Sequence, residues 1–191
     1  MEALRSGNRE AFARMVDEHS PMIYRLAYRM LGEANEAEDI LQETFLNAYR
    51  NIGSFEGRSS IKTWLYRIAT NQALMRLRKR NPTFVSVDED WADPDGNQIP
   101  RELEDWCCLP EEEFMSSEVK TQLQLATENL SPALNAVFTL RDLHGLSTQE
   151  TARILNISES AVKTRLLRAR LQLRELLSGY FKERVEENRH G

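Results

Sequence analysis

Residues 130–177, LSPALNAVFTLRDLHGLSTQETARILNISESAVKTRLLRARLQLRELL, constrain the fold more than any other stretch of the chain. Ser131 ahead of Pro132 is a helix start, because proline lacks only an N–H that a first turn leaves unbonded anyway. Gly145 ends that helix, and Ser147 with Glu150 forms a capping box for the next. The short helix Thr148 to Leu155 stops at Asn156-Ile157-Ser158, where Asn156 takes the left-handed conformation and Ser158 caps the second helix of the pair. Small Ala152 lets two helices cross closely, and Ile154, Leu155, Ile157, Val162 and Leu166 supply the buried seam. The pattern is a helix-turn-helix. Its second helix carries Lys163, Arg165, Arg168, Arg170 and Arg174 against only Glu159 and Glu175, a balance suited to a major groove. Ser160, Lys163, Thr164, Leu167 and Arg168 are the expected base-edge residues, and the later arginines, Arg170 among them, the phosphate contacts. Leu166, Leu171, Leu173, Leu176 and Leu177 are expected in the core.

Charge divides the remainder. Residues 1–81 carry +3, residues 82–115 carry −10 and residues 116–191 carry +2, within a net charge of −5. The acidic middle holds Pro82, Pro94, Pro100 and Pro110 and the run Asp93-Pro94-Asp95-Gly96-Asn97, which disfavour regular helix. It reads as an acidic flexible linker, its charge serving either solvation or mimicry of nucleic acid in a basic channel of a partner. Trp91, Ile99, Leu103, Trp106, Leu109 and Phe114 are unusually apolar for a spacer, so parts of it are expected to dock. No run approaches the roughly 18 to 20 apolar residues that span a bilayer, and the N-terminus lacks a secretory apolar block. No membrane insertion is expected. The only cysteines, adjacent Cys107 and Cys108, point to a reducing compartment, and cytoplasmic placement follows. His19, His144 and His190 are dispersed, so neither metal nor cofactor is expected, and no nucleophile motif or phosphate loop suggests an enzyme.

In the N-terminal block, apolar residues recur at helical spacing without a strand signal, and four helices are expected. The first runs near Arg9 to Glu18. The second runs near Pro21 to Leu31, ended by Gly32. The third opens at Asn35, with Glu38 completing a capping-box-like start, and buries Ile40, Leu41, Phe45 and Ala48. Its polar face, Asp39, Gln42, Glu43 and Asn47, is either solvated or a docking surface for a basic helix. After the glycine-punctuated loop NIGSFEGRSS comes the fourth helix, roughly Ser60 to Arg80, mixing aromatic residues with a basic end. Base faces stack on aromatic rings and phosphates attract cations, which suits this mixture to single-stranded nucleic acid. Trp64, Tyr66, Arg67 and Asn71 are the candidates, with Trp64 equally readable as core. Arg76, Arg78, Lys79 and Arg80 exceed what a helix dipole favours and are expected to meet phosphates.

Taken together, the run EAEDILQETFLNAYRNIGSFEGRSSIKTWLYRIATNQALMRLRKR and the run GLSTQETARILNISESAVKTRLLRARLQL resemble the sigma-two and sigma-four domains of bacterial extracytoplasmic-function (ECF) sigma factors. The order of both motifs, the linker and the total length carry the resemblance over nearly the whole chain. It implies an all-α fold of two small helical domains, sigma-two-like over 1–81 and sigma-four-like over 116–191, joined by the linker 82–115. It also implies that core RNA polymerase is the partner, through the clamp helices of its largest subunit and the flap of the second-largest. Asp39, Gln42, Glu43 and Asn47 then become clamp-interface candidates. Phe55, Glu56, Gly57, Arg58 and Ser59, with Lys62 and Trp64, become the pocket for a base flipped from the non-template strand of the −10 element. Lys163, Thr164, Leu167 and Arg168 occupy positions that read the −35 duplex. Promoter DNA and an anti-sigma factor are the other implied partners. The alternative is an operator-binding helix-turn-helix regulator acting as a dimer without replacing sigma; a receiver domain for it would need alternating strands.

Overall fold

The computed structural model describes residues 2–80 and 117–187, with side chains over 3–80 and 121–178. The linker, with Cys107, Cys108 and the apolar residues expected to dock, lies outside the described residues. The rest is helical: α1 (Glu2–Arg5), α2 (Arg9–Leu31), α3 (Ala34–Asn51), α4 (Ile61–Arg80), α5 (Ser117–Glu128), α6 (Pro132–Phe138), α7 (Thr148–Leu155) and α8 (Glu159–Glu187). No strand occurs among the described residues.

Three local expectations need correction. The first two helices are one, Arg9–Leu31, with Pro21 inside it. Pro21 is exposed, so the carbonyl it leaves unbonded faces water, and the Ser20 hydroxyl donates to the neighbouring Val16 carbonyl at 2.6 Å. The apolar stripe that continues through the proline, Met15 to Ile23 and Leu26, holds the helix together through that turn. The third helix begins at Ala34, not Asn35, and Glu33 stands at its N-cap without a side-chain bond. Asn35 is therefore already inside the first turn, and the Asn35–Glu38 box does not form. Finally, α1 and α5 carry no counterpart in the sequence pattern. Asn8 caps α2 by accepting from the Ala11 amide, after a turn at Gly7 with φ of +77°.

Helices α2, α3 and α4 pack pairwise around a core in which Ile23, Leu26, Met30, Ile40, Leu65 and Ala69 lose all solvent contact. Gly32 closes α2 in the left-handed conformation, its amide bonded to the Tyr28 carbonyl. In the C-terminal half, Pro132 opens α6 as expected, but the helix leaves α geometry at Thr139 and finishes as one π-helical turn, Thr139–Leu143. Gly145, at φ of +63°, then reverses the chain. Buried Asn135 is fully engaged, donating to the Thr127 carbonyl at 3.0 Å and accepting from Thr139 at 3.1 Å, which locks the end of α5 to α6.

The two halves pack directly on each other. Ala136, Leu140, Leu146 and Ile154 belong to the same apolar cluster as α2, α3 and α4, while Val137, Phe138, Val162 and Ala169 form a second cluster within the C-terminal half. Polar contacts accompany the apolar ones: the Tyr66 hydroxyl lies 2.9 Å from His144 Nδ1, and Gln124 donates to the Arg29 carbonyl at 3.4 Å.

Candidate nucleic-acid and partner interface

The turn between α7 and α8 is built as the sequence dictates. Ser147 accepts from the Glu150 amide and the Glu150 carboxylate accepts from the Ser147 amide, completing the capping box. Those bonds hold the Glu150 carboxyl below its usual range. Asn156 sits at φ 55° and ψ 47°, and the Ser158 hydroxyl accepts from the Ala161 amide at 3.1 Å to start α8. This fixes which side of α8 faces outward. Ser160 and Lys163 are exposed, Thr164, Leu167 and Arg168 are half-buried, and Val162, Leu166, Ala169 and Leu173 form the seam against the body. Leu171 and Leu176, expected in the core, are instead exposed. Arg170 is held in the domain, its guanidinium making two 2.8 Å bonds to the Asp142 carboxylate. It braces α8 against the π-helical turn.

On the other half, the loop before α4 has a buried floor and an exposed rim. Phe55 is 8% exposed, its ring 5.0 Å from that of half-buried Trp64, and its carbonyl accepts from the Arg5 guanidinium. Glu56, Gly57 and Arg58 are exposed, with Glu56 and Arg58 ion-paired to each other. Gly57 has φ of +77°, which a side chain there would strain. Ser60 caps α4 by accepting from the Thr63 amide, and Ser59 is half-buried beside it.

Along α4, Trp64, Arg67, Asn71, Met75 and Arg78 recur at spacings of three and four and make one continuous stripe. Met75, 58% exposed, was missed in the sequence because methionine at helical spacing reads as core. The basic end divides in two. Arg78 and Lys79 are exposed, whereas Arg76 bonds Asp39 and Glu43 at 3.3 and 2.8 Å, and Arg80 pairs with Glu36 and donates to the Leu31 carbonyl. Thus Arg76 and two of the four polar residues on α3 hold α3 and α4 together. Gln42 is exposed and Asn47 half-buried on the same helix, beside exposed Leu46 and Tyr49. Exposed apolar residues on a helix otherwise this polar had no counterpart in the sequence reading.

The family follows from comparison with known proteins. Sigma-70 region 2 matches residues 15–83 and Sigma-70 region 4 matches residues 120–173. The ECF RNA polymerase sigma factor SigW of Bacillus subtilis is 39% identical over 177 residues, covering 93% of this chain and 94% of SigW. The chain belongs to the ECF sigma factors. Among solved structures, the ECF sigma factor is similar to the sigma factor RpoE from Bartonella quintana in complex with the anti-sigma factor NepR. That similarity has a TM-score of 0.64 at 24% identity and covers 88% of this chain and 98% of RpoE. CnrH in complex with the cytosolic domain of CnrY gives a TM-score of 0.66 at 22% identity, over 93% and 94% of the two chains. These likenesses show the shared two-domain helical fold. Among the described residues, no helix of this sigma factor is long and apolar enough to cross a membrane.

Proposed function

We propose that this ECF sigma factor binds core RNA polymerase in the cytoplasm and directs it to promoters through two separate DNA readers, with no catalytic residue of its own. The observation that carries the reading is the outward face of α8, set by the Asn156 turn, which offers Ser160, Lys163, Thr164, Leu167 and Arg168 to the −35 duplex. The second reader is the exposed rim Glu56 to Arg58 together with the α4 stripe from Trp64 to Arg78. It holds a base of the melted −10 non-template strand and its flanking phosphates. Buried Phe55 shapes the pocket from below. Gln42, Leu46 and Asn47 on α3 meet the clamp helices of the largest polymerase subunit, with Asp39 and Glu43 held in place by Arg76, and the sigma-four-like half meets the flap.

The closed packing bears on this mechanism. Elements centred about 25 base pairs apart lie roughly 85 Å from each other at ~3.4 Å per base pair. A folded chain of this length has a radius of gyration of roughly 16 Å. The two halves must part to read both elements, and the linker over 82–115 reaches at most on the order of 110 Å. An anti-sigma factor fits the same reading, because the solved RpoE was captured with one.

Purified chain added to sigma-free core polymerase on a promoter library tests the whole reading. Transcripts sharing −35 and −10 sequences are expected. Tight dimeric binding to a palindrome without polymerase, and no transcript, refutes it in favour of an operator-binding regulator.

A further inference from the structure

The shortest helix, α1, lies against the loop that precedes α4. Its single turn could not persist alone in water, and two features hold it in place. The chain reverses at Gly7, where the Gly7 amide donates to the Leu4 carbonyl at 3.2 Å and the Asn8 amide donates to the Ala3 carbonyl at 3.0 Å. Leu4 is buried in the same apolar cluster as Ile52 and Phe55, which fixes α1 to the 3-10 turn Ile52–Ser54 and to the start of the loop.

That anchoring delivers the next residue to the loop. The Arg5 guanidinium donates to the Phe55 carbonyl across 50 residues of sequence. Its Nη2 also lies 3.6 Å from the position that a β-carbon on Gly57 would take, so the guanidinium lies along the backbone from Phe55 to Gly57. Among the described residues, the loop's other polar ties are local: the Phe55 amide to the Ile52 carbonyl, Glu56 to Arg58, and Ser60 to Thr63. Such ties shape the loop without fixing it to the rest of the fold. Phe55 supplies the fixed points, its ring against Trp64 and its carbonyl on Arg5. A cationic donor makes the stronger kind of hydrogen bond, and a held carbonyl sets the peptide plane that leads into Glu56.

Resting on the reading that Glu56 to Arg58 receive the −10 base, we propose that Arg5 is a positioning residue for that capture, and that α1 thereby helps to set the −10 preference. A rim that reads a base edge has to be held within about 0.5 Å of its productive geometry, and the Arg5 bond supplies that hold at the loop's entry. The contribution is separate from the shared domain, since α1 lies ahead of the segment matched to region 2.

Purified transcription with core polymerase, on promoters carrying each of the four bases at every −10 position, tests this. Arg5 is exposed and Leu4 still anchors α1, so the full chain carrying Arg5→Ala should fold. In that variant the rate ratio between the preferred and the next base at the captured position should fall roughly fivefold, the worth of one hydrogen bond. Core binding and the −35 preference should stay those of the wild type. Arg5→Lys, which keeps a cationic donor, should recover part of the ratio. An unchanged ratio overturns the proposal, and so does slower initiation in equal proportion on every −10 sequence, which is the mark of a lost phosphate contact. Arg58→Ala in parallel separates this inference from the reading beneath it. If Arg58→Ala shifts the −10 preference and Arg5→Ala does not, α1 has no part in capture; if neither does, the reading of the loop fails and the proposal with it.

Discussion

Acidification should loosen the closed packing through one residue. Burial, and then Arg29, Arg25 and Lys62, push the His144 pKa down from 6.5 to about 4. A group whose charged form is disfavoured in the closed state leaves that state unaffected above pH 6.5. It destabilises the state progressively as pH falls, and the loss is complete below pH 4. The full shift is worth about 3.4 kcal/mol at 1.36 kcal/mol per unit. Between pH 7.5 and 5.0 the linkage integral comes to about 2 kcal/mol, roughly a thirtyfold change in the equilibrium constant. The figure applies whether His144 escapes by separation of the halves or by unfolding, since either route frees it from Tyr66 and the cations. Urea denaturation followed by circular dichroism at both pH values, for the wild type and His144→Gln, isolates the contribution from the background of carboxylates. The wild type should lose about 2 kcal/mol more than the variant over that interval. Equal losses in the two proteins would refute the reasoning.

Other expectations concern single elements. Asn156→Ala keeps a β-carbon in the left-handed region but removes the short polar side chain that makes it tolerable there, and should cost about 1 kcal/mol in the same denaturation assay, with Asn156→Gly nearly neutral. Arg170→Ala breaks both bonds to Asp142 and should cost about 2 kcal/mol, and the Asp142→Ala, Arg170→Ala double variant should lose less than the sum of the singles. Lys163→Ala and Arg168→Ala should lower −35-dependent initiation in purified transcription. For a lost phosphate contact, the salt dependence of DNA binding falls by about 0.9 in logarithmic slope. Arg58→Ala should alter −10 preference with core binding intact, whereas Phe55→Ala should cost about 3–5 kcal/mol of stability by emptying the space beneath Trp64.

The parts of the molecule legible from sequence are those fixed by local chemistry. Ser131-Pro132, the Ser147–Glu150 box and the Asn156 turn each satisfy backbone groups within four residues, so the residue types alone announce them. Pro21 misled for the complementary reason. Its missing bond is a local defect, and the side chains packed along both flanks of α2, which keep the helix continuous, come from α3 and α4. The Asn35–Glu38 pair had the right spacing, but Glu33 and its carbonyl start the helix two residues earlier. On the candidate surface, residue type announced a basic α4 terminus without revealing that Arg76 and Arg80 are tied to α2 and α3 while Arg78 and Lys79 are left outside. Likewise Phe55 reads as a base contact in a loop and as a floor in the fold. The contact between the halves was invisible altogether, since Tyr66 and His144 lie 78 residues apart and meet only when the halves pack.

The apolar side chains shared between the halves carry a thermal consequence. Ala136, Leu140, Leu146 and Ile154 are dry in the closed molecule, packed into the cluster built by α2, α3 and α4. Once hydrated, they raise the heat capacity, so the open form gains on the closed one at both extremes of temperature and least near the middle of the range. Where the halves part as proposed, assembly with polymerase begins from surface newly given to water. Calorimetry of that assembly should return a heat-capacity change less negative than the area of the final contact implies, by the amount this hidden seam releases.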